Sequence, residues 1–148
     1  MEWSERVENL AEGNDPKLIL RVPSGLVVMG DSQWLLGYCL LIAYPPVSQL
    51  SDLNGPARTE YLSEMGVMGE IIQQVTQAKR MNYAIYGNVD PFLHTHLWPR
   101  FDGEDPLVAT KPPLSHPEEL RNALDAQFDP IKHGTLMRKI KEARESYF

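Results

Sequence analysis

Within Pro91–Arg100, PFLHTHLWPR, stand two of the chain's four histidines, His94 and His96, two residues apart in an apolar run. In a strand successive side chains alternate, so Phe92, His94, His96 and Trp98 share one face while Leu93, Thr95 and Leu97 share the other. The Leu/Thr/Leu face can be buried against a helix. The opposite face carries paired imidazoles that titrate near neutral pH, flanked by aromatics, which suits a reactive pocket. Three chemistries use such a pair. A neutral imidazole can attack phosphorus and form a phospho-histidine-type intermediate, with the second ring donating a hydrogen bond to the phosphate oxygens. The pair can ligate a metal such as zinc. One ring can serve as acid or base for another nucleophile. The metal reading needs a third ligand; the candidates Asp90, His116 and His133 stand at no recognisable ligand spacing, and CxxC, HExxH and Gly-rich phosphate-loop motifs are absent.

The totals bound the answer. With 148 residues, 43% of them hydrophobic, the chain has the size of one soluble domain with one core, spanning 1–148. Met1–Asn14 is Glu-rich and polar, and no window reaches the length needed to cross a bilayer, so a cytoplasmic protein without a membrane partner is expected. The lone Cys39 cannot form an internal disulfide and, inside the apolar run Tyr38–Ala43, reads as a small hydrophobe. A net charge of -6 and a pI near 5.2 argue against a long nucleic-acid partner. A single nucleotide needs only a few donors and is not excluded by whole-chain charge.

These histidines need a sheet to hold them. Leu18–Val22 and Leu26–Met29 are aliphatic runs joined by Pro23-Ser24-Gly25 and read as a hairpin. Gly37 leads into a third strand, Tyr38–Ala43, ended by Pro45-Pro46. From Ala57 to Lys79 the period changes: Leu62, Met65, Met68, Ile72 and Val75 mark a helical stripe. Asn82–Tyr86 reads as a fourth strand, antiparallel to the histidine strand across the connection Gly87–Pro91. Short helices are expected at Ser4–Ala11, capped by Ser4, and at Pro117–Gln127 and Leu136–Tyr147. The sum is an α+β layout: about five mostly antiparallel strands, a long helix packed on them and C-terminal helices. The core covers residues 18–101 and the helical extension 102–148. His116, before Pro117, and His133, before Gly134, are expected to be solvated.

PFLHTHLWPRF resembles the signature of the histidine-triad family of nucleotide hydrolases and transferases: histidine, apolar, histidine, apolar, histidine, two apolars, often then Pro-Arg. Alignment on Leu97-Trp98-Pro99-Arg100 puts His94 on the family's central, nucleophilic histidine and His96 on its last, with Phe92 where the first should be. Leu36–Ile42, LGYCLLI, is similar to the family's Pro-Gly-His-Thr-Leu-Val-Ile strand, with Tyr38 in place of its histidine; Pro46 stands near another histidine common there. The similarity covers about residues 18–101.

The resemblance implies a diadenosine-tetraphosphate-hydrolase-like enzyme acting on phosphoanhydride or phosphoramidate bonds of nucleotides. His94 would attack the α-phosphorus, form a nucleotidyl-histidine and expel the leaving group, after which water releases the nucleoside monophosphate. Attack requires a neutral His94, which burial between Phe92 and Trp98 favours. His96 would donate to the phosphate oxygens, assisted by Asn88, the match to the family's upstream Gln or Asn donor, or by backbone N–H groups. Asp31 falls where the family often has an acid near the ribose, although a Gly-Asp-Ser break also makes it a turn residue. Arg100 is a candidate for phosphate contact or for pairing with an acidic side chain. No covalent cofactor is implied; magnesium can arrive with the substrate, and a homodimer built by joining two sheets is expected. The alternatives are a non-catalytic nucleotide-binding or interaction protein on the same fold, and a small metalloenzyme built on His94 and His96.

Overall fold

The computed structural model of the chain describes residues 2–147. Its strands are β1 (Leu18–Val22), β2 (Gly25–Met29), β3 (Cys39–Ala43), β4 (Arg80–Ala84) and β5 (His94–Arg100), paired antiparallel throughout in the order β1-β2-β3-β5-β4. The helices are α1 (Trp3–Ala11), α2 (Gly55–Thr76), α3 (Pro106–Ala109), α4 (Glu118–Arg121) and α5 (Gly134–Glu145). The α+β layout expected from hydrophobic periodicity is borne out. No helix among the described residues is long and apolar enough to cross a membrane.

Alternation along β5 assigns its faces. Thr95 and Leu97 are fully buried toward α2, where Leu97 joins Leu41, Met68 and Ile72 in the main core. The Tyr61 hydroxyl of α2 donates to the Leu41 carbonyl at 2.9 Å, so Thr95 Oγ1, 2.7 Å away, supplies the proton of the second bond. This polar tie between α2 and the two central strands fixes the height of β5 beneath the helix. The buried stripe of α2 therefore runs through Tyr61, Glu64, Met68 and Ile71 to Ile72, whereas Leu62, expected in it, is exposed. Glu64 is tolerated inside because Arg144 of α5 meets both its oxygens at 2.9 Å, fastening α5 to α2.

Several boundaries differ from expectation for local reasons. Helix α2 starts under an Asn54 cap, whose side chain accepts from the Ala57 amide at 2.9 Å, with Pro56 in the first turn. It stops short of Lys79 because Gln77 takes the left-handed conformation, φ 60°. The chain then re-enters the sheet early, at Arg80 opposite Arg100, and residues 85–93 form the connection into β5. The helix expected over Pro117–Gln127 contracts to α4 and a 3-10 turn at Leu124–Ala126. Its backbone groups bond across to the loop after β2 instead: Gln33 N–H donates to Ala126 O at 2.6 Å, and Phe128 N–H to Asp31 O at 2.8 Å.

Candidate active site

The even-numbered face of β5 carries His94, His96, Trp98 and Arg100, and the two histidines stand where two cavities meet. One, of about 290 Å³, is floored by Val28, Leu40 and Ile42 of the sheet and walled by Val7 and Leu10 of α1. The other, of about 370 Å³, lies under Tyr86, Asn88, Val89 and Leu114. Both include His94 and His96. A larger hollow of about 730 Å³ along β4 contains Arg100 and neither histidine.

Hydrogen bonding engages Nδ1 of both rings. His94 is buried, its Nδ1 2.7 Å from the carbonyl oxygen of Phe92. A carbonyl only accepts, so the neutral ring carries its proton on Nδ1 and keeps a lone pair on Nε2. His96 Nδ1 lies 2.6 Å from the Tyr38 hydroxyl. Burial pushes the Tyr38 phenol above its ordinary range, aided by the negative charge of Asp31, so it stays protonated. With the phenol as donor, a neutral His96 has its proton on Nε2. The His94 and His96 ring centres are 5.1 Å apart, and His96 lies flat on Trp98 with centres 4.6 Å apart and planes 4° apart. Burial first, and the neighbouring His94 second, push the His96 pKa down to about 4 against the opposing pull of Asp90. His96 is uncharged at neutral pH.

The other expected site residues divide. Asn88 lines the second cavity beside both histidines. Asp31 reaches the rim of the first, exposed and paired with Lys17 Nζ at 2.8 Å. The structure does not bring Arg100 to this site. Its guanidinium is buried, paired with the Glu104 carboxylate at 2.9 Å and bonded to Asn82 Oδ1 and to the carbonyls of Val108 and Lys111. Of its two sequence readings, pairing with an acid is the one realised. The expectation that His116 and His133 are solvated is corrected: both are 3% exposed. His116 Nδ1 accepts from Trp34 Nε1 at 3.1 Å, and His133 Nδ1 accepts from the Asp129 amide at 3.0 Å. Buried imidazoles with donors against them are held uncharged, and the pKa of each is lowered, chiefly by burial. Among the described residues no three His, Cys, Asp or Glu side chains gather in a way that could hold a metal ion.

Sequence reasoning missed three contributors. Tyr38, in sequence a departure from a histidine, has its position opposite Trp98 in the sheet and next to His96 set by strand register. Helix α1 closes the first cavity, held by Trp3 stacked on Phe92 and by Arg6 Nη2 at 2.6 Å from Asp90 Oδ1. Leu114, Arg121 and Asn122 wall it from the far end of the chain. No local pattern marks such long-range partners.

The sheet carries α2 on one face and presents His94 and His96 to cavities on the other, and solved structures of histidine-triad proteins are similar to it in fold. No protein-family description matches this sequence, and no curated protein matches it. A histidine triad protein of Sinorhizobium meliloti 1021 is similar with a TM-score of 0.73 at 18% identity, covering 93% of each chain. A hypothetical histidine triad nucleotide-binding protein of Sulfolobus tokodaii strain7 is similar with a TM-score of 0.71 at 14% identity, over 94% of this chain and 90% of that one. A zinc-bound histidine triad family protein of Mycobacterium smegmatis is similar with a TM-score of 0.61 at 19% identity, over 98% and 99%. The chain has the histidine-triad fold.

Proposed function

We propose that the protein is a nucleotide hydrolase or nucleotidyl transferase of histidine-triad type, cleaving dinucleoside polyphosphates or related conjugates such as nucleoside phosphoramidates. The observation that carries this reading is a pair of imidazoles at one cavity junction with both Nδ1 atoms engaged, His94 on the Phe92 carbonyl and His96 against the Tyr38 hydroxyl, which leaves both Nε2 atoms for a ligand. One is a nucleophile and the other a donor to an anion.

In this reading His94 Nε2 forms a bond to the α-phosphorus, and the bond to the leaving group breaks with its electron pair departing on that group. The ring gains positive charge, which the Phe92 carbonyl stabilises through Nδ1–H. His96 Nε2–H and Asn88 donate to the phosphate oxygens. Water then attacks phosphorus, the P–N bond returns its pair to Nε2, and the proton of the water passes to solvent. Asp31, at the rim, accepts from a ribose hydroxyl once Lys17 yields it. Magnesium enters as part of the substrate's phosphate charge. Arg100 has no part in these steps. β1 and β4 each pair on one side only, so a second copy can extend the sheet, and a homodimer by light scattering is the expected state.

The test is incubation with dinucleoside polyphosphates and nucleoside phosphoramidates, with identification of the released nucleotide and mass-spectrometric trapping of nucleotidylated His94. His94→Asn should abolish turnover with the fold retained; near wild-type hydrolysis by that variant defeats the mechanism. Phe92 at the first triad position favours a second reading, nucleotide binding without turnover. Saturable binding with no released nucleotide and no adduct would establish it.

A further inference from the structure

We infer that Tyr38 is a positioning residue for His96, its hydroxyl donating to Nδ1 and so keeping that ring oriented with its proton on Nε2, the nitrogen available to an anion in the cavity. The inference rests on the reading above, in which His96 Nε2–H meets a phosphate oxygen.

Tyr38 is itself held from several directions. Gln33, buried in the loop after β2, donates to the carbonyls of Gly30 and Tyr38 at 2.9 Å and accepts from the Gly37 amide at 2.9 Å. Gly37, at φ 103°, turns the chain into β3 in a conformation that side chains disfavour. The Tyr38 ring passes over Gly30, where a Cβ would strike it, and meets the edge of Trp34 at 5.5 Å and the face of Trp98 at 5.3 Å. The phenol is therefore delivered to His96 by a packed backbone and two indoles, and 2.6 Å is a firm hydrogen bond.

The geometry decides the direction of that bond. Were His96 Nδ1 the donor, the phenol proton would have to find another acceptor in a buried setting, and no second partner of that hydroxyl is found among the described residues. With Tyr38 donating, both groups are satisfied. Without the hydroxyl, stacking on Trp98 still defines the plane of His96 but not which ring nitrogen faces the cavity. The other titratable groups around His96 are His94 on the same strand, Tyr86 with its ring centre 5.7 Å away, and Asp90 in the preceding loop. None is recorded as a hydrogen-bond partner of His96 Nδ1.

The experiment is nitrogen-15 NMR of the histidine rings in the full chain, wild type and Tyr38→Phe, which keeps the aromatic ring. In the wild type the proton is expected on Nε2 of His96 and on Nδ1 of His94. In Tyr38→Phe the His96 titration midpoint should rise. Where the protein turns over a nucleotide, kcat should fall roughly 10–100-fold with less change in KM, and the acid limb of the pH profile should move upward. A wild-type His96 protonated on Nδ1 overturns the inference even if Tyr38→Phe does not fold. An unshifted His96 midpoint in Tyr38→Phe, or a shifted one with unchanged turnover, overturns it too. Absence of any nucleotide turnover defeats the enzymatic reading instead, and the ring spectra still decide whether Tyr38 sets the His96 proton.

Discussion

The carbonyl oxygen of Phe92 accepts the Nδ1 proton of His94 at 2.7 Å while the Phe92 ring packs against the imidazole with centres 4.8 Å apart. Orientation of the His94 ring thus comes from the backbone of the residue two before it. A histidine side chain at position 92 is not required for that bond. The side chain present instead joins the cluster that seats α1.

This separates two roles at one residue. Phe92→Leu keeps the carbonyl and most of the apolar volume, so it should cost less than about 1.5 kcal/mol and leave turnover within a few-fold. Phe92→Ala opens a cavity beneath Trp3 and should cost about 3–5 kcal/mol. Urea unfolding midpoints together with initial rates check both.

Arg100 makes the opposite case. Its side chain is 10% exposed and that of Glu104 11%, and removing the guanidinium leaves a buried carboxylate unpaired. Arg100→Ala should lose about 3–5 kcal/mol, and Arg100→Lys should not restore it, because an ammonium cannot span Glu104, Asn82 and two carbonyls at once. At temperatures where the variant is folded its KM for nucleotide should be that of the wild type.

Acid should weaken the fold in two stages. His96 binds its proton only near pH 4 when folded but near its ordinary value of 6.5 when unfolded. Between those pH values the unfolded chain takes up the extra proton, so stability falls as pH drops from about 6.5 to about 4. The lowered pKa values of His116 and His133 act in the same direction. Burial works to raise the Glu104 pKa, but its bonds from Arg100 and the Phe101 amide prevail and lower it, so its contribution is present above the ordinary carboxylate range and lost below it. Thermal midpoints measured from pH 7 to pH 3 should descend throughout; a flat profile between pH 6.5 and 4.5 contradicts the histidine assignment.

Gly37→Ala should destabilise by about 1–3 kcal/mol, since the backbone has φ 103° and the added methyl would sit 2.6 Å from Thr76 Cγ2. The same change displaces Tyr38, so any activity should fall more steeply than stability alone explains. Calorimetry and rates on one preparation distinguish the two.

The alternation of β5, the Pro-Ser-Gly hairpin and the long apolar stripe were legible because each depends on near neighbours in sequence. His94 and His96 were legible for the same reason, since spacing of two decides a shared face. Tyr38, Trp34 and His116 were not, because their roles arise from strand register and from a segment some eighty residues away, as the Trp34–His116 bond shows. The burial of His116 was hidden by its proline neighbour, which signals a turn but not what the turn packs against. Cys39 was read correctly as a buried hydrophobe: burial pushes its thiol up to about 12, far from a reactive thiolate.

The cavity beside His94 takes Val7 and Leu10 from the first helix and Leu114, Arg121 and Asn122 from the segment that crosses back over Ser32. During synthesis the sheet and both imidazoles can be in register once residue 100 has emerged, yet the far wall does not exist until residue 122 has emerged as well. A ribosome-tethered chain halted between those points would carry its histidine strand in an open trough, its cavity unwalled until the polypeptide has come back over itself.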